Sequence, residues 1–267
     1  MLTLKIGVQT ASLRQNFKQS LLTAAKLGAD AVEIDARNEL RPAVLSQTGL
    51  RQFRKMLEDL NLKVCAVAFP TRRGYDDLED LDRRIAATKE AMKMAYDLGA
   101  SVVVNQIGRI PAPPDTESEK TAESRWQCLL DVLRDLGRFG DRHGARLAAE
   151  TGTESGKKLA QLLAAIPEAS VGATLNPGNL IIHDFSPSEA VAALGAAILH
   201  VHVQDAVRDT AKGRGIEVAL GRGSADFPAL LGALEEYDYR GYLTIERRES
   251  QDPIFEIGQA VQYLRNF

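Results

Sequence analysis

The stretch "AYDLGASVVV" (95–104) passes from helix-forming residues through a Leu-Gly turn into a β-branched run. A glycine after a helix adopts the left-handed conformation that closes it, and the chain then enters a strand. The same succession recurs in "AAKLGADAVEI" (24–34), "GDRHGARLAAE" (140–150) and "YDYRGYLTIE" (237–246). Its repetition along the chain describes alternating helices and parallel strands. Eight strand segments follow, at 4–9, 31–35, 63–69, 101–107, 146–151, 170–176, 198–204 and 242–247. Amphipathic stretches lie between them, at 16–28, 49–60, 79–99, 119–140, 156–165, 187–195 and 226–237. Ser155 and Ser186 are placed as N-caps, the latter followed by Pro187 at the first helical position. Eight such units in 267 residues match one α/β domain, a single (β/α)8 TIM barrel over residues 1–267. A doubly wound sheet would usually carry a Gly-rich phosphate turn after its first strand, and "VQTASLRQN" (8–16) has none.

Alternation within the strands supports the barrel. Side chains at i and i+2 share a face. Leu147 and Ala149 oppose Arg146, Ala148 and Glu150; Val171, Ala173 and Leu175 oppose Gly172, Thr174 and Asn176. Val201 and Val203 oppose His200, His202 and Gln204; Leu243 and Ile245 oppose Tyr242, Thr244 and Glu246. The apolar set suits contact with surrounding helices, and the polar set is expected to line the axis. A doubly wound sheet is apolar on both faces and would not take so many polar residues on one.

Bulk properties bound the partners. A net charge of −3 gives no general attraction to nucleic acid or anionic membrane, and the apolar content of 45% is that of a soluble domain. A strand is expected almost at once after Met1, which leaves no room for a signal peptide, and no apolar run reaches membrane-spanning length. Cys65 and Cys128 are isolated and read as reduced thiols of a cytoplasmic protein. The loop "RIPAPPDTESEK" (109–120) is expected over the barrel mouth as a lid or substrate loop, with 69–77 and 219–227 on the same side.

Four strands end in polar residues of inward parity: Glu150, Asn176, His202 and Glu246. Two carboxylates, an imidazole and an amide oxygen make a mixed donor set for Mn²⁺, Mg²⁺, Co²⁺ or Zn²⁺. Each has a plainer use. His202 can be an interior histidine satisfied by its neighbours, Glu150 a helix cap, Glu246 a partner of Arg247 or Arg248, and Asn176 the start of the turn "NPGN". Shared parity favours the site, with His200 one layer deeper as support. Arg247 and Arg248 are expected on the opposite face or beyond the mouth. Glu33 and Asp35 end the second strand and can reach the substrate or cap a loop. His183 follows the "NPGN" turn and can overlook the mouth; His143 has no supporting constellation. Arg72 and Arg73 suit a phosphate or a solvated surface pair, and Trp126 packs with Leu129, Leu130 and Leu133.

The segments "AAETG" (148–152), "VGATLNPGN" (171–179), "HVHVQDAVR" (200–208), "GRGSADF" (221–227) and "YLTIERRE" (242–249) resemble the xylose isomerase-like barrel superfamily. Within it they resemble the sugar phosphate isomerase/epimerase group that includes the ketose 3-epimerases. The likeness extends over nearly the whole chain, from "KIGVQTAS" (5–12) and "AVEIDAR" (31–37) onward. It implies one divalent metal ion on Glu150, Asn176, His202 and Glu246, with Asn176 where relatives carry Asp. It implies Glu150 and Glu246 as acid/base groups and Arg208 on the sugar oxygens. Asn179 stands where some epimerases carry a substrate-binding His, and Glu33 and His183 complete the substrate-contacting set. The reaction implied is proton transfer next to a carbonyl through an enediolate. A lyase acting on a keto-inositol, dehydroshikimate or 3-keto-glycoside shares that first step, and a non-catalytic sugar-binding relative is a third reading. Four histidines are too few for the trinuclear zinc site of a repair endonuclease on this barrel. Relatives are often dimers or tetramers, so self-association is a further expectation.

Overall fold

The computed structural model describes residues 4–111, 120–209 and 214–267. Residues 112–119 of the expected lid loop therefore lie outside the described residues. Among the described residues, ten strands are ordered β1 (Lys5–Gln9), β2 (Ala31–Asp35), β3 (Lys63–Ala68), β4 (Val102–Asn105), β5 (Arg146–Glu150), β6 (Val171–Leu175), β7 (Ile198–Val203), β8 (Asp205–Val207), β9 (Ile216–Val218) and β10 (Tyr242–Ile245). Eight of them close a parallel barrel in the order β1-β10-β7-β6-β5-β4-β3-β2, and these are the eight strands expected from sequence. The helices are α1 (Phe17–Lys26), α2 (Gln47–Asp59), α3 (Leu81–Asp97), α4 (Lys120–His143), α5 (Gly156–Ala164), α6 (Pro177–Ile182), α7 (Pro187–Leu194), α8 (Phe227–Glu236) and α9 (Pro253–Arg265). Ser155 Oγ accepts from the Lys158 amide and Ser186 Oγ from the Glu189 amide, so both expected caps form. No helix among the described residues is long and apolar enough to cross a membrane.

Outward-facing strand residues pack under the helices. Ile6, Val8, Val32, Ile34, Leu147, Val201, Leu243 and Ile245 join helical Leu21, Met92, Leu133, Leu162 and Leu264 in one buried cluster. Complete burial of each leucine there contributes about 1.5–3 kcal/mol. The axis is less uniform than strand alternation implied. Ala66, Val102, Val104 and Ala148 form a separate small apolar cluster with Leu199 against it, whereas Thr174, His200, His202 and Thr244 are polar and buried. One flank of the axis is thus apolar and the other polar.

Two breaks in register shape this interior. Val32 pairs with Val64 and Glu33 with Ala66, so Cys65 is an extra residue on β3. Ala173 pairs with Ile198 and Thr174 with His200, so Leu199 is an extra residue on β7. Such bulges insert a side chain and re-aim those that follow. Cys65 Sγ lies 3.4 Å from Thr244 Oγ1, and Thr244 is paired with Gly7. Only glycine fits there: a Cβ on residue 7 would lie 2.6 Å from Thr244 Oγ1 and 2.9 Å from Cys65 Sγ. Gly7→Ala is accordingly expected to destabilise the barrel by about 1–3 kcal/mol, measured as a lowered urea midpoint. An unchanged midpoint would mean that the barrel interior is looser than this packing implies.

Candidate active site at the barrel mouth

Neighbouring strand ends deliver the polar residues to one place. Gln9 and Glu33 are register partners on β1 and β2, and Gln9 Nε2 donates to Glu33 Oε1 at 2.9 Å. His202 lies beside Thr244 on β7 and β10, which sets Glu246 just beyond it. His202 Nε2 is 2.8 Å from Glu33 Oε2. On the other edge of the ring, Nδ1 is 3.1 Å from Glu150 Oε1 and 3.4 Å from Glu246 Oε2. His200 Nε2 lies 3.1 Å from the same Glu33 oxygen but out of hydrogen-bonding alignment, and the two imidazoles stand edge to face with centroids 5.3 Å apart.

Burial alone would hold His202 neutral. The charges of Glu33 and Glu246 and the hydrogen bonds of Glu150 and Glu33 outweigh it and push its pKa well above the ordinary imidazole value. Burial would likewise raise Glu33, yet the His202 charge and both histidines' contacts bring it well below the usual carboxylate range. His200, desolvated and only partly offset by Glu33, is lowered and stays neutral. The two upper carboxylates diverge. Glu150 overcomes its burial through His202, Arg248 and Asn176 and falls to about 2, whereas burial dominates at Glu246 and raises it.

The rim adds residues that the sequence reading did not place here. Arg248 Nε donates to Glu246 Oε1, and its NH2 lies 3.7 Å from Glu150 Oε1. Arg248 shares parity with Glu246, two residues earlier, so the signal was present. The expectation that it lies beyond the mouth is corrected because the chain after β10 turns back, anchored by the Arg248 amide on Glu217 Oε1 at 3.0 Å. The Arg247 guanidinium pairs with Glu256 and Glu217. Gln106 Nε2 donates to Glu150 Oε2 at 3.1 Å.

A cavity of about 290 Å³ opens on this cluster and is lined by Gln9, Glu150, His202, Glu246 and Arg248, with Ala68, Pro70 and Val104 opposite. Glu150 Oε1, His202 Nδ1 and Glu246 Oε2 lie close enough together to hold one cation. A second group, Glu33, His200 and His202, shares the imidazole, and its Glu33 and His200 do not line the cavity. Glu33 is therefore placed under the imidazole, fully buried, and not on a substrate surface. Asn176 turns its nitrogen toward the carboxylates: Nδ2 donates to Glu150 Oε1 at 3.0 Å and to Glu246 Oε2 at 2.9 Å. Its only oxygen accepts from the Asn179 amide at 2.9 Å as the N-cap of α6, which corrects the expectation of an amide-oxygen ligand. Arg208 is exposed and paired with Asp184 at 2.8 Å, away from the lining. Asn179 and His183 line an adjoining part of the mouth.

The chain is 24% identical over 245 residues to the L-ribulose 3-epimerase of Methylomonas sp. (strain DH-1), covering 88% of this chain and 79% of that one. It is 22% identical over 223 residues to the inosose dehydratase of Clostridium beijerinckii, covering 75% and 73% of the two chains. The crystal structure of a xylose isomerase domain protein from Planctomyces limnophilus superposes with a TM-score of 0.84 at 25% identity, over 99% of this chain and 97% of that one. The family model described as Xylose isomerase-like TIM barrel matches residues 21–267, and the chain belongs to that family.

Proposed function

We propose that this chain is a divalent-metal-dependent isomerase or epimerase that moves a proton next to the carbonyl of a carbohydrate. One observation carries the reading: two buried carboxylates in opposed environments meet one imidazole nitrogen on the floor of an open cavity. Glu150, His202 and Glu246 would hold the ion, which suits their mixed oxygen and nitrogen donors. When bound, the ion supplies Lewis-acid polarisation of the carbonyl and offsets the negative charge of the enediolate. Glu33 keeps the proton of His202 on Nε2, leaving Nδ1 free to donate its lone pair toward the cavity. One of Glu150 and Glu246 takes the proton alpha to the carbonyl and the other returns one; their unequal environments suit divided roles. Asn176 donates to both carboxylates and fixes their orientation. The epimerase and dehydratase relatives both fit this first step, and expulsion of a beta group would turn it into elimination.

Three experiments follow. Glu33→Gln should weaken Mn²⁺ binding about 10–100-fold, followed by electron paramagnetic resonance, with the fold intact; unchanged affinity would remove His202 from the ligand set. Asn176→Asp should tighten Mn²⁺ about tenfold, because one carboxylate oxygen can keep the α6 cap while the other joins the site. Equal or weaker binding would mean that residue 176 has no access to the ion. Finally, Mn²⁺-loaded protein should epimerise or isomerise a member of a ketose panel in D₂O with deuterium entering beside the carbonyl. Glu150→Gln and Glu246→Gln should each lose at least about a hundredfold. Elimination products in place of epimers would establish the lyase, and full turnover in either variant would refute the acid/base assignment.

A further inference from the structure

The mouth cavity has a second limb of about 390 Å³, which shares Gln106, Glu150 and Arg248 with the first. Its character is different. Arg72, Arg73, Arg109 and Arg248 line it, with Thr151 and Thr153, and Glu150 is the one carboxylate among its described lining residues. Glu150 is already committed, one oxygen to Gln106 and the other to Asn176 and His202.

The arginines are brought together by backbone. The loops after β3 and β4 meet at Gly74 and Gly108, where the Tyr75 amide donates to Ile107 O at 3.0 Å. A Cβ on Gly108 would lie 2.3 Å from the Gly74 Cα, and Gly108 has φ +95°, so glycine is required on both counts. Arg72 and Arg73 immediately precede this contact and Arg109 immediately follows it. Arg73 is paired with Glu79, and Asp77 lies 3.9 Å away. Arg248 is held on Glu246. Arg72 and Arg109 make no ion pair among the described residues. Arg72 and Arg109 thus flank the glycine contact and line the same limb, and among the described residues no carboxylate pairs with either. Guanidinium forks bind oxyanions bidentately, and such a pair gains most when one multivalent anion spans both.

We propose that this limb is an oxyanion subsite, and that the substrate carries a phosphate or carboxylate at the end remote from its reacting carbonyl. The substrate part of this inference rests on the isomerase reading above; the subsite itself does not. The first test is ³¹P NMR titration of inorganic phosphate into Mg²⁺-loaded protein. Arg72→Gln/Arg109→Gln should weaken phosphate by more than about tenfold, the loss expected for charge-assisted hydrogen bonds. The same affinity in the double variant, or no saturable binding by the wild type, overturns the subsite. The second test compares a ketopentose, its terminal phosphate ester and a keto-uronate by calorimetry. At least one anionic compound should bind about tenfold more tightly than the neutral ketose, and the double variant should erase that margin while leaving the ketose unaffected. Preference for the ester identifies phosphate, and preference for the uronate identifies carboxylate. Epimerisation of neutral ketoses with no anionic advantage would sink the subsite and leave the isomerase standing. An anionic advantage lost in the double variant, with no turnover of any compound, would do the reverse.

Discussion

Three carboxylates buried within reach of one imidazole ring set the terms for everything else at the barrel mouth. Glu33, Glu150 and Glu246 would repel one another and resist desolvation if left alone. His202 stands between them, with Glu33 on one edge of the ring and Glu150 and Glu246 on the other. Arg248 adds a second positive charge from the rim. A doubly protonated His202 and the guanidinium still leave the cluster one formal charge negative. Exchange of the Nδ1 proton for a divalent ion balances it, which is a physical reason for this donor set to favour a 2+ cation over a proton.

Much of the fold was legible because its signals are local. Glycine turns such as Leu98-Gly99 and the two-residue alternation need only a few neighbours to act, and they place all eight staves. The inward parity of His200 and His202 was also readable. The bulge at Leu199 was not, since it is defined by pairing with β6. Helix α6 was read as a turn although Asn176 and Pro177 form an N-cap and N1 pair; its six residues are too few to show a periodic face. The β8–β9 hairpin is similarly short, three residues on each side. What sequence could not disclose was competition for atoms. That Asn176 spends its oxygen on the Asn179 amide, and that Arg248 turns back to Glu246, depend on positions fixed only once the barrel closes.

Asn176 shows how a single heteroatom redistributes roles. A carboxylate at that position has two acceptor oxygens, enough for both a helix cap and a cation. An amide has one, and the cap claims it. The nitrogen that remains is a donor, and it settles between the two carboxylates that a cation would otherwise draw together. Turning the amide over would free the oxygen but cost the cap, about 1 kcal/mol of helix stability. In this orientation the oxygen serves the start of α6 and the nitrogen serves the two carboxylates.

The unequal flanks of the axis extend this division of labour into the cavity. Strands β3 and β4 and the turn after β3 contribute Ala68, Pro70 and Val104 to one wall, while Gln9, Glu150, His202 and Glu246 form the other. A polyol chain has the same two characters, C–H surface on one side and hydroxyl or carbonyl oxygens on another. Seated between these walls, it can lay its carbon skeleton on the alanine and valine and turn its oxygens toward the donors. Beside the apolar wall, Asn105 and Gln106 add amide groups, and Asn105 Oδ1 has no hydrogen-bond partner among the described residues. A flat carbonyl compound without hydroxyls would satisfy fewer of those groups, and each buried group left unmatched costs about 1–3 kcal/mol. This asymmetry, built from which strands carry small apolar residues at inward positions, would suit the oxygen-rich substrate proposed above.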